Sequence, residues 1–297
     1  MKGQNALPLL SLVFIALTRV VAGGGLSVMW QSAEAADANP GFAAHLSDLA
    51  RRVPRGFTIV VQSPFVVVGD EAPEVVRQHA FRTVKWAVDK LKQDYFEHEP
   101  QEIIDIWLFR SHASYTNHAQ LLFQERPGSP FGYYLESHNA LIMNIATGGG
   151  TLVHEIVHPF MRVNFPICPA WFNEGLASLY EASSERNGHI QGLVNWRFKG
   201  LEKAIREGKT VSFQKLTSMT EAEFYGGSDY SQHYAQARYL CYYLQEKRLL
   251  VKFYHQFVAQ ARTDPTGYAT LKQVLGTKDM EAFKKEWETF VLGLRGP

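Results

Sequence analysis

The stretch TLVHEIVHPFMR, residues 151–162, decides how this chain is read. Its two histidines stand four residues apart, and a glutamate directly follows the first. In an α-helix four steps of about 100° leave two side chains only about 40° out of register, so His154 and His158 project from one face, a turn apart. Two imidazoles so placed can share a metal ion. Glu155 is rotated by about 100° from His154, beside a shared ion and off it, where a carboxylate can accept the proton of an activated water. Leu152, Val153, Ile156, Val157 and Phe160 make the remaining faces apolar. A helix buried by those faces must find partners for its polar side chains.

A chance arrangement of ordinary helix residues is the alternative, and the next segment bears on it. Past Pro159, Pro166 and Pro169, expected to break the helix, residues 170–180 read AWFNEGLASLY, a second helical pattern carrying Glu174. Alone, Glu174 reads as a solvated glutamate near a helix start. A hydrolytic zinc site, however, wants three protein ligands and one open position. Sixteen residues after His158, Glu174 is the expected third ligand, with one Zn2+ as the cofactor.

HEIVH followed by PAWFNEGLASLYE resembles the gluzincin class of zinc metallopeptidases, and most of all the peptidase-MA-like domains, which pair HExxH with a downstream NEG-A glutamate. The resemblance implies zinc on His154, His158 and Glu174, with Glu155 as general base and acid. It also implies an α+β, zincin-like fold, in which an N-terminal α/β lobe with a mixed sheet (57–163) carries the metal helix and a C-terminal, mainly helical lobe (164–297) closes the site. The HExxH and NEG pair is its specific part; the looser similarity runs from about Ser63 to the C-terminus.

Residues 1–36 read as a secretory signal peptide or N-terminal anchor. Lys2 precedes the apolar run Ala6 to Leu17, and small residues follow at Ala22, Ala33 and Ala35. Arg19 interrupts that run before the roughly 20 apolar residues a membrane span needs, so export to a secreted or periplasmic location is expected. Residues 37–56, with Arg51, Arg52 and Arg55, read as a solvated linker. The remaining length is enough for one large domain or two lobes. A formal net charge of +1 offers no electrostatic case for nucleic acid or an acidic membrane surface.

Phe57 to Gln62, Phe65 to Val68 and Ile103 to Phe109 are strand-like, a long helix is expected from Val75 to Phe96, and Ser111 is a plausible cap for a helix through Leu122. Gly132-Tyr133-Tyr134 and residues 139–144, NALIMN, look like paired strands. In the resembled enzymes the strand before the metal helix walls the cleft and an extended peptide adds to its free edge, which assigns substrate binding to Asn139, Ala140 and Leu141. A plain core strand is the alternative. Gly148-Gly149-Gly150 allows a sharp turn into the metal helix with Thr151 as a cap, and without an adjoining Lys-Ser/Thr pair it is no phosphate loop.

Beyond Tyr180 a mainly helical half is expected, with Gly192-Leu193-Val194-Asn195 resembling a G-x-x-N-like stretch of similar domains. Gluzincins commonly stabilise the oxyanion with a Tyr or His from this half. Tyr234, in YAQARYL, is the first choice, with Tyr230 and His233 behind it, against a plain core aromatic. Cys168 and Cys241 leave a disulfide open in an exported protein.

The expected function is a zinc-dependent peptidase acting on a peptide or protein. Endopeptidase action is favoured, since residues 132–150 hold no acidic motif of the kind that binds a substrate amine in related aminopeptidases. The alternative is a peptidase-like domain without turnover that binds peptides or proteins, and a third reading is a membrane-tethered structural protein with a chance motif.

Overall fold

The computed structural model describes residues 19–22, 26–29 and 40–296. Its centre is a seven-stranded mixed sheet in the order β1-β2-β3-β4-β5-β7-β6. The strands are β1 (Arg19–Ala22), β2 (Leu26–Met29), β3 (Thr58–Gln62), β4 (Phe65–Gly69), β5 (Ile104–Phe109), β6 (Gly132–Leu135) and β7 (Ala140–Asn144). Strands β2-β3, β4-β5 and β5-β7 run parallel and the other neighbours antiparallel. TIVV, FVVV, IDIWLF and ALIM are apolar almost without interruption because both faces of these strands are covered, and in each the side chains alternate between the two faces.

One face, with Ile59, Val61, Val66, Val68, Trp107, Phe109 and Ile142, packs under α1 (Pro40–Arg52) and α4 (His112–Phe123). Ser111 caps α4 as expected, accepting a bond from the Ser114 amide at 3.2 Å. Helix α1 corrects the linker expected at 37–56. Phe42, Leu46 and Leu49 recur at helical spacing and are buried on the sheet, while His45 reaches the buried Asp105 at 2.7 Å. Phe42, Leu46 and Leu49 share one face of the helix, and the sheet that buries that face draws on residues from Ile59 to Ile142, a covering that the segment's own basic residues do not announce. Arg19–Ala22 and Leu26–Met29, inside the segment read as an export signal, are drawn into the sheet as β1 and β2, in keeping with their β-branched residues. The apolar run from Ala6 to Leu17, which carries that reading, lies outside the described residues.

The other face packs against the remaining helices. α2 (Pro73–Gln78) continues through a π-helical stretch, His79–Lys85, into α3 (Trp86–Asp94). The helix that carries His154 and His158 is α5 (Gly150–Asn164), followed by α6 (Ala170–Leu179), α7 (Phe198–Arg206), α8 (Phe213–Thr217), α9 (Glu221–Tyr225), α10 (Tyr230–Glu246), α11 (Leu250–Gln260), α12 (Tyr268–Leu275) and α13 (Met280–Leu292). One apolar core runs from Val60 through α5 and α6 to Val291, so the segments 57–163 and 164–297 are two halves of a shared core. No helix among the described residues is long and apolar enough to cross a membrane.

Three further expectations change. Pro159 does not end α5: its ring removes one intrahelical donor and crowds the carbonyl four residues back, a cost offset by burial of Phe160 and Met161, which hold the next turn in the core. The cap position is Gly149, which puts Thr151 inside the first turn. Residues 183–192, expected in a helical half, form an antiparallel hairpin, β8 (Ser183–Arg186) with β9 (His189–Gly192). Asn187 and Gly188 both have positive φ, 53° and 85°, so the Asn-Gly pair was a hairpin signal passed over.

Candidate metal centre

Helix α5 follows β7 after a 3-10 turn, Ile145–Thr147, and Gly148-Gly149, and its first turn meets the chain just past α6 at Glu181. Gly150 is required there, because a Cβ at this position would lie 1.9 Å from the backbone oxygen of Glu181. Gly175 does the same one helix further on: its Cβ would stand 3.1 Å from Ala237 O and from Cys241 Sγ, so α6 and α10 meet backbone to backbone. These two contacts bring the three elements that carry the site into register.

His154, His158 and Glu174 converge, each offering one atom within 4.8 Å of the others. Glu174 Oε2 stands 3.3 Å from His154 Nε2 and 3.9 Å from His158 Nε2. Two ligand atoms about 2.1 Å from one zinc ion at the tetrahedral angle are about 3.4 Å apart, so the set matches the span of such a site. His154 is 8% and Glu174 6% exposed, and Glu174 Oε2 has no hydrogen-bond partner although it is buried. A buried carboxylate oxygen without a donor is costly unless a cation completes it. The donor set therefore fits a zinc ion on chemistry as well as on spacing.

The atoms behind the ligands orient them. His158 Nδ1 donates to Asn173 Oδ1 at 3.0 Å, which leaves the Nε2 lone pair facing the centre. Tyr225 donates its hydroxyl to Glu174 Oε1 at 2.9 Å, leaving Oε2 for the histidines. His154 Nδ1 lies 3.4 Å from Glu181 Oε1, close but outside hydrogen-bond alignment. Glu181 is in turn held by Arg197, whose Nε and Nη2 donate at 2.8 and 2.6 Å, and by Asn195 Nδ2 at 3.1 Å. Asn173, Glu181, Arg197 and Tyr225 were not picked out from the sequence. The one available signal was that Glu181 follows Glu174 by seven residues, close to two helical turns.

Charge in the metal-free cluster is strongly coupled. Burial pulls the His154 imidazolium down, but Glu174 and Glu181 outweigh it and raise its pKa to about 10. Burial likewise opposes the Glu174 carboxylate, yet the two histidines hold its pKa down at about 2. Glu181 is also held down to about 2, against burial, chiefly by Arg197 and then by His154. Without a metal, a proton taken up by His154 is the cation nearest Glu174 Oε2, with Nε2 3.3 Å away but outside hydrogen-bond alignment.

A cleft of about 810 Å3 opens over this cluster. Glu155 lines it beside His154 and makes no hydrogen bond among the described residues. Tyr234 and Tyr230 line it from α10, and Phe131 and Gly132 line the opposite lip. Burial, followed by the Glu174 charge, raises the Tyr234 pKa far above the usual phenol, so its proton is held for donation. His233 bonds the Phe224 carbonyl through Nδ1 at 3.1 Å and is not in the cleft wall.

Asn139, Ala140 and Leu141 do not offer a free edge. Strand β7 lies between β5 and β6, so the backbones of Ala140 and Leu141 are paired on both sides. Asn139 turns the chain at φ 46°, and its side chain bonds Ile103 O and Tyr134 Oη. Among the described residues the free edge belongs to β6, the preceding strand, onto which β7 pairs back. Since Asn144 N donates to Phe131 O at 2.8 Å, alternation turns the main-chain groups of Gly132 and Tyr134 outward. Cys168 and Cys241 are both free thiols.

No curated protein matches the sequence. Residues 149–265, which include α5, α6, Glu181, Arg197 and Tyr234, are similar to a family described as a protein of unknown function, DUF1570.

Proposed function

We propose that this chain is an exported zinc-dependent peptidase of the gluzincin type, with a zincin-like fold, that hydrolyses peptide bonds of a peptide or protein substrate. The observation that carries the proposal is the donorless Glu174 Oε2, buried and facing two imidazole Nε2 atoms at 3.3 and 3.9 Å. His154, His158 and Glu174 would hold the zinc ion, which when bound would supply Lewis acidity for activating water near neutral pH and polarising a carbonyl.

The chain's own groups do the rest. Glu155, uncommitted and one residue along from His154, accepts the proton of the attacking water and delivers it to the departing amine. Tyr234 donates its phenol proton in a hydrogen bond to the oxyanion as charge develops. Asn173 and Tyr225 keep His158 and Glu174 turned toward the centre. Gly132 and Tyr134, on the free edge of β6 beside the cleft, offer an extended substrate main-chain hydrogen bonds.

The test is metal analysis of the purified protein together with digestion of a peptide library, with and without a chelator. One zinc per chain and chelator-sensitive cleavage are expected. Glu155→Gln keeps the metal and loses turnover, whereas His158→Ala loses both. Equal metal loss in the two variants overturns the role given to Glu155, and zinc without cleavage leaves a peptide-binding module.

A further inference from the structure

We infer that Arg197 is a positioning residue that couples the orientation of the metal-facing His154 to that of Tyr234 across the cleft, an inference that rests on the zinc reading above. One edge of its guanidinium grips Glu181 in a two-pronged pair, Nη2 to Oε1 at 2.6 Å and Nε to Oε2 at 2.8 Å. The same Glu181 Oε1 is the atom 3.4 Å from His154 Nδ1. Its Cζ lies over the Tyr234 ring, 5.2 Å from the centroid, and over the Trp196 ring, 4.1 Å from the centroid. A planar, delocalised cation can satisfy a carboxylate with its edge and aromatic rings with its faces together; a lysine ammonium cannot.

The support under this pair is built in. Arg238, wholly buried, donates from Nε to Ser178 O at 2.9 Å and from Nη2 to Leu179 O at 3.4 Å and to Leu193 O. It thereby ties the end of α6, two residues before Glu181, to the loop that carries Asn195 and Arg197. Gly150 at the start of the metal helix touches the Glu181 backbone from the other side. Glu181 thus has little freedom to leave His154, and its carboxylate, 3.4 Å from Nδ1, favours the ring orientation that turns Nε2 toward Glu174.

The test compares wild type with Arg197→Lys, Glu181→Gln and the double variant E181Q/R197M, which removes both charges and leaves no buried ion unpaired. Zinc affinity is read by chelator competition, the His154 tautomer by long-range imidazole 1H–15N correlation, and folding by thermal unfolding. Zinc binding about 10- to 100-fold weaker is expected in each folded variant, with a changed His154 Nδ1 signal. Arg197→Lys should also lower kcat more than it raises KM, through Tyr234. If a single variant does not fold, the double variant gives the reading. Folded variants that bind zinc as tightly as wild type, with the His154 signal unchanged, overturn the positioning role and leave the peptidase reading intact. Wild-type protein that takes up no zinc overturns both.

Discussion

Replacing Glu174 by Gln in metal-free protein tests the electrostatics of the centre in the absence of any catalysis. The carboxylate is 6% exposed, so little solvent screening applies. Its pKa falls from 4.5 unfolded to about 2 folded, a difference of about 2.5 units, which at about 1.4 kcal/mol per unit is about 3 kcal/mol. Most of that is the interaction that also raises His154 from 6.5 to about 10, so it is counted once. The sign follows from each group. Glu174 is depressed, so its contribution is complete above 4.5 and lost as pH falls toward 2. His154 is raised, so its contribution is complete below 6.5 and lost as pH rises toward 10.

The windows overlap between 4.5 and 6.5. With a chelator present, urea unfolding followed by tryptophan fluorescence should show the variant less stable by about 3 kcal/mol at pH 5.5, shrinking to about 1 kcal/mol at pH 9.5. Adding zinc should stabilise wild type and not the variant. A difference equal at both pH values, or none at pH 5.5, refutes the ion-pair account of the metal-free site.

Tyr234→Phe should lower kcat about 100- to 1,000-fold with little change in KM, measured on a cleaved library peptide, and an unchanged kcat removes Tyr234 from the chemistry. Gly150→Ala sets a methyl group 1.9 Å from the Glu181 carbonyl and should cost about 1–3 kcal/mol of stability; a melting temperature equal to wild type would show that the metal helix has room to shift. Leu49→Ala, at a wholly buried position of α1, should cost about 2–5 kcal/mol in denaturant unfolding, whereas a solvated linker would lose nothing.

The site was legible where it depends on spacing along one helix. His154, Glu155 and His158 lie within five residues, so backbone geometry alone sets their relative directions once the segment is helical. Glu174 was reachable because a second short helical pattern follows at once. The strands were legible for a related reason: a sheet covered on both faces demands near-continuous apolar runs, and TIVV, FVVV and IDIWLF, interrupted only by Thr58 and Asp105, are such runs.

Neighbours across space were not legible. That α1 would cover the sheet, that β7 would be paired on both sides, and that Asn173, Tyr225, Glu181 and Arg197 would stand behind the ligands all depend on which surfaces meet. The Asn187-Gly188 turn could have been read locally and was masked by the helical segments around it. The sequence by itself therefore determined the donors, through the fixed periods of helix and strand, and tertiary packing decided their orientation and the open edge beside them. Glycine contacts and buried hydrogen bonds between segments far apart in the chain carry no period along it.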